Sequence, residues 1–231
     1  MCPPIRLIES TLSLKITCER PCTGLMATTH MGYGFLIAYL LTFLVEKTLS
    51  SSSLVASWSV CFVLAGLFGG AAPDIDRCLR CGFSHRKTFH YPVLPGLLAV
   101  ASGLLWSCSY PSILAALASC FFAGAWLHSL LDIVDGSWAD DEGVYEHLRG
   151  RWIRPLNWVH FASLTEWALL TISAILVIFV SLRLPRLAWF PGWGAGAAYL
   201  LIVAVTLAYE IPKEVPRRRK TKHRLRNRTT S

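Results

Sequence analysis

The sequence predicts an all-α, polytopic membrane protein of about six transmembrane helices with a polar site at its cytoplasmic face. Three observations carry that prediction. The 231 residues are 54% hydrophobic and only 16% charged, where a water-soluble chain carries roughly a quarter charged residues. The apolar residues are gathered into runs of about 17–20, the length that crosses a hydrocarbon core of roughly 30 Å. The ionisable residues that border those runs are mostly found at one end of them. This composition excludes a disordered chain, a disulfide-stapled mini-protein and a compact soluble enzyme. It also makes nucleic-acid binding a secondary reading of the formal +8 charge.

In chain order, hydropathy predicts spans at Met31–Leu49, Leu54–Ala72, Tyr91–Cys108, Pro111–Leu131, Leu164–Leu182 and Trp193–Tyr209. The links Ser50–Ser53 and Ser109–Tyr110 have room only for tight turns, so spans one and two form one hairpin and spans three and four another. The longer connections, Pro73–His90 and Asp132–Ser163, are polar.

Nineteen of the 22 Lys and Arg residues fall on one side of this arrangement, leaving Lys47, Arg183 and Arg186 on the other. Basic loops are retained in the cytoplasm, so both termini and both long loops are expected there, in a multi-pass protein of the plasma (inner) membrane. Residues 1–25 lack the continuous apolar run of a secretory signal. They read as an N-terminal extension, or as untranslated sequence if Met26 is the initiator. Residues 26–210 form the transmembrane domain and 211–231 a basic tail. The tail, dense in charge from Arg217 to Arg228, should attract the anionic head groups of membrane lipids at about 1 kcal/mol per charge. A nucleic acid partner is not expected.

The cysteines add little. Cys61, Cys108 and Cys120 fit as small apolar packing residues. Cys18/Cys22 and Cys78/Cys81 could together form a four-thiolate zinc site, but they sit in no recognisable ribbon or knuckle, and reduced thiols are the expectation.

The chemistry is carried by histidine and aspartate. His30 precedes the first span. Asp74 and Asp76 follow the second, His85 and His90 flank Arg86-Lys87-Thr88-Phe89 before the third, and His128 and Asp132 close the fourth. All arrive at one face of the bilayer at nearly the same depth, where ionisable groups are costly and mark functional paths. An extended segment would point Asp74 and Asp76 the same way, and the i, i+4 spacing stacks His128 and Asp132 on one helix face. Mixed imidazole and carboxylate donors suit a divalent transition metal such as zinc or manganese. Seven candidate ligands exceed the need of one tetrahedral ion, and two ions fit the count better. His147, Glu146 and His160 read as interfacial polar residues, with His147 the foremost extra ligand. Trp138, Trp152, Trp158 and Trp167 read as aromatic-belt anchors.

Thr29-His30 with Gly32 and Gly34, Gly69-Gly70 with Pro73-Asp74-Ile75-Asp76, His85-Arg86-Lys87-Thr88-Phe89-His90, and His128-Ser129-Leu130-Leu131-Asp132 with Gly136 follow one another in an order that resembles the membrane-bound metal-dependent hydrolase family. Its prokaryotic members are labelled LexA-binding, inner-membrane-associated hydrolases. The likeness covers about Met26 to Pro155. It implies a multi-helix membrane fold and metal-dependent hydrolysis, without naming a substrate. The chain departs from the family's usual pattern at Lys87 and Tyr91, and at Asp135, which could add a carboxylate near the metal. These departures bear on the substrate pocket more than on the ligands.

The expected activity is hydrolysis of a phosphoester in a lipid-like or membrane-associated substrate, with Asp74, Asp76, His128 and Arg86 catalytic. A metal ion brings the pKa of its water toward 7. Arg86 and Lys87 are the expected substrate-binding pair, a guanidinium gripping phosphate oxygens at two points. A metal-free lipid phosphate phosphatase would need an Arg where this chain has Phe122. The non-enzymatic alternative is a membrane scaffold with a structural metal that recruits a cytoplasmic protein partner.

Overall fold

The computed structural model describes residues 24–49, 52–77, 90–108, 112–136, 144–146, 151–153, 159–160, 164–184 and 191–208. Residues 1–23, the basic tail, His85, Arg86, Lys87, His147, Trp138, Trp158 and the four paired cysteines lie outside the described residues, as do the side chains of Asp76, Asp135, Glu146 and His160.

Among the described residues, six α-helices form where the apolar runs predict them: α1 (Gly24–Leu49), α2 (Ser52–Gly69), α3 (Val93–Cys108), α4 (Ile113–Val134), α5 (Leu164–Ser181) and α6 (Trp193–Ala208). Within them Ala27–Val45, Ile113–Val134 and Leu164–Ser181 are long and apolar enough to cross a membrane. Trp58–Gly69, Val93–Ser107 and Trp193–Ala208 are shorter apolar stretches. At 1.5 Å per residue, the 16 residues of α3 rise about 24 Å, short of a full hydrocarbon core. α1 begins seven residues before the predicted span, which brings His30 inside a helix instead of ahead of one.

α4 is the hub, packing against α1, α2 and α3, while α1 also packs on α2 and α5. Its inward face consists largely of small residues, Ala116, Ser119, Cys120, Ala123, Gly124 and Ala125, ending in His128, Ser129 and Asp132. Small residues let helix backbones approach closely, which is how helices associate where lipid competes equally for large apolar side chains. The approach is tightest around Gly66 of α2. A β-carbon added at Gly34 of α1 or at Gly124 of α4 would run into the Gly66 carbonyl oxygen. Three helices are therefore locked at one level by the absence of side chains.

α6 joins through Tyr199, which is fully buried. Its hydroxyl donates to the Thr28 carbonyl at 3.1 Å and lies 3.1 Å from Ser173 Oγ, tying α6 and α5 to the first turns of α1. The outer faces carry exposed Leu97, Leu104, Leu105, Ile175, Phe179, Leu201 and Val205. An outward apolar surface spread over several helices suits hydrocarbon and not water.

Two features depart from the sequence reading. Asp74 and Asp76 do not lie on an extended segment: Ala72–Arg77 is a 3-10 turn, in which positions i and i+2 stand about two-thirds of a turn apart. The segment after α4, expected as irregular loop, contains short strands: β1 (Asp135–Gly136), β2 (Val144–Glu146), β3 (Arg151–Ile153) and β4 (Val159–His160). β2 and β3 form an antiparallel pair with Tyr145 opposite Trp152. β1 runs parallel to β4, pairing Asp135 with Val159 and Gly136 with His160.

Candidate metal centre

Four separate pieces of chain deliver the polar residues to one place. α1 brings His30, the 3-10 turn after α2 brings Asp74, the residue three positions ahead of α3 is His90, and the last turns of α4 bring His128 and Asp132. His30, His90, His128 and Asp132 are buried, and Asp74 is partly buried. The i, i+4 spacing in α4 does what helix geometry requires, setting His128 Nε2 3.3 Å from Asp132 Oδ2.

His90 Nε2 lies 3.3 Å from Asp132 Oδ2 and 3.6 Å from Asp74 Oδ1. An ion held tetrahedrally by bonds of about 2.0–2.1 Å keeps its ligand atoms about 3.3–3.4 Å apart. The donor spacing therefore fits a zinc-sized ion. Two imidazoles and two carboxylates suit zinc or manganese alike. Among the described residues, two overlapping triplets have ligand atoms close enough for an ion, His90/His128/Asp132 and His30/Asp74/His128.

The hydrogen bonds indicate how His128 is set. Its Nδ1 lies 2.6 Å from the Gly70 carbonyl oxygen. A carbonyl only accepts, so Nδ1 carries the proton and donates it, and in the neutral ring Nε2 then bears the lone pair. A metal-binding histidine is oriented in this way, through a backbone carbonyl on its far nitrogen. His128 Nε2 and Asp132 Oδ2 are both buried and neither has a hydrogen bond among the described residues. Two acceptors facing each other at a buried position are unfavourable. A proton or a metal ion between them removes the conflict.

Of the seven ligands expected from sequence, the structure brings together His30, Asp74, His90, His128 and Asp132. His85 and the Asp76 side chain lie outside the described residues, as do Arg86 and Lys87. Asp135 falls in β1, directly after α4. Sequence reasoning did not assign Gly70 a role, although the Gly69-Gly70 pair was visible. Its carbonyl holds His128, and a β-carbon there would lie 2.5 Å from the His30 carbonyl oxygen, so only glycine fits. No protein-family model, curated protein or solved structure matches the chain.

Proposed function

We propose that the protein is a membrane-embedded, metal-dependent hydrolase whose substrate is a phosphoester of a lipid-like molecule. The observation that carries this reading is the buried His/Asp group, with His128 Nε2 and Asp132 Oδ2 facing each other 3.3 Å apart at the end of an apolar, membrane-length helix. An ion bound there would supply Lewis-acid polarisation and acidify a water molecule near neutral pH. His90, His128 and Asp132 would hold the ion, with Asp74 beside His90 at 3.6 Å, and the Gly70 carbonyl fixes the ring of His128. The resemblance of the four ordered motifs to the membrane-bound metal-dependent hydrolases supports hydrolysis over a purely structural ion. Arg86 and Lys87 support a phosphoester, because a guanidinium and an ammonium between two candidate ligands favour phosphate oxygens. The lopsided distribution of Lys and Arg supports a site open to the cytoplasmic face of the plasma membrane, and the apolar outer surface supports an amphiphilic substrate.

The test is metal analysis of detergent-purified protein, with and without Asp74→Ala. It is joined to a phosphodiesterase and lipid-phosphatase panel supplemented with zinc or manganese. About one or two ions per chain and hydrolysis lost in Asp74→Ala and His128→Ala are expected. Hydrolysis that persists in both variants refutes the reading. Bound metal with no turnover of any substrate transfers support to the scaffold alternative.

A further inference from the structure

The two candidate triplets share His128, and that sharing decides what each can do. His128 Nδ1 bears the proton given to Gly70, so only Nε2 can reach an ion. One imidazole nitrogen has one lone pair and binds one ion. The triplets are therefore mutually exclusive as long as His128 serves both. His30 settles which is used. Its Nδ1 stands 3.1 Å from His128 Nδ1, the rings meeting edge to face with centroids 4.2 Å apart. Two N–H groups cannot face each other at that distance, so His30 Nδ1 presents its lone pair to the same proton as a second, longer acceptor. Its own proton then sits on Nε2. Neither nitrogen of the neutral His30 ring has a lone pair left for an ion.

We infer that His30 is a positioning residue and not a ligand: with Gly70 it holds the proton of His128 on Nδ1, so that Nε2 is turned to an ion shared with His90 and Asp132, beside Asp74. This rests on the metal-centre reading above and assigns roles within it. Such outer partners influence affinity by roughly 10–100-fold without adding a bond to the metal.

The test uses full-length protein in detergent micelles, stripped with chelator and reloaded with cobalt. The readouts are the ion-to-protein ratio, the affinity and the visible d–d bands. His30→Ala should keep the wild-type ratio and band positions while binding about 10–100-fold more weakly. His30→Asn, whose Oδ1 can stand near the place of Nδ1 and accept the same proton, should recover most of that loss. It also serves as the readout if the alanine variant does not fold. His90→Asn should lower the ratio by one ion. A ratio that falls in either His30 variant, or bands that move as far as in His90→Asn, overturns the assignment. A wild type that binds cobalt while His30→Ala loses an ion rejects this assignment alone. A wild type that takes up no cobalt rejects the metal-dependent reading together with it.

Discussion

Replacing Asp132 by asparagine should change the stability of the metal-free and metal-loaded protein in opposite directions. In the metal-free chain, at a pH high enough to leave the imidazoles neutral, Asp132 Oδ2 is a buried acceptor facing the bare Nε2 of His128. It lies equally 3.3 Å from His90 Nε2. The asparagine amide would bring two N–H groups to that position, one within reach of each ring. A net hydrogen bond stabilises by about 1 kcal/mol, and for a chain of this size that is roughly 2–4 °C in Tm. Removing a ligand should also weaken zinc binding by more than the roughly 10–100-fold typical of an outer partner. Wild type in zinc at a hundred times its Kd gains about 2.7 kcal/mol, or roughly 5–11 °C, and the variant gains little. Thermal unfolding in detergent, once with chelator and once with zinc, reads both halves. Asp132→Asn should melt higher than wild type without zinc and lower with it. A variant less stable than wild type in chelator would show that the two atoms do not oppose each other, and the account of the centre would fail.

Gly70→Ala should destabilise by about 1–3 kcal/mol, because the added carbon meets backbone at His30 and Met31 and not a movable side chain. It should also weaken zinc binding, whereas Gly103→Ala, whose nearest neighbour is the Ser119 hydroxyl at 3.2 Å, should do neither; thermal melts and zinc competition compare the two. Tyr199→Phe removes the hydroxyl shared with Thr28 and Ser173 and should cost about 1–3 kcal/mol in a melt while leaving the ion-to-protein ratio unchanged. Zinc affinity should fall as the pH is lowered from 8 to 6, since imidazoles coordinate only when neutral, and equilibrium dialysis at each pH measures it. An affinity independent of pH would argue against histidine ligands.

The helices were legible because apolar runs of membrane length are a strong signal, and their starts and ends agree with expectation to within a few residues except at α1. There the polar Ala27-Thr28-Thr29-His30 looked like a leader to the span. In the structure the helix runs through it, and the Thr28 carbonyl accepts a hydrogen bond from Tyr199, a contact 171 positions away that no local pattern can reveal. The convergence of His30, Asp74, His90, His128 and Asp132 was legible from their common depth at the ends of predicted spans. Their division of labour was not, because it depends on which ring nitrogen faces a carbonyl. The Asp74/Asp76 geometry was misread because Pro73 fits both an extended start and the first residues of a 3-10 turn. The strands after α4 are two or three residues long, too short for an alternating pattern to stand out from a polar connection.

The pairing of β1 with β4 fastens the exit of α4, three residues beyond Asp132, to the entrance of α5. The chain between them, residues 137–158, leaves and returns at this pairing, and within it β2 packs on α4, so a change at β2 reaches the ligand-bearing helix while a change of length elsewhere leaves the two ends in place. Such an arrangement separates two rates of evolution. The helices that carry the site are held close by glycine contacts, while the connection outside β2 and β3 can be lengthened, shortened or recomposed to meet a different molecule. Homologues with the same centre and different targets should therefore diverge first between Gly136 and Val159.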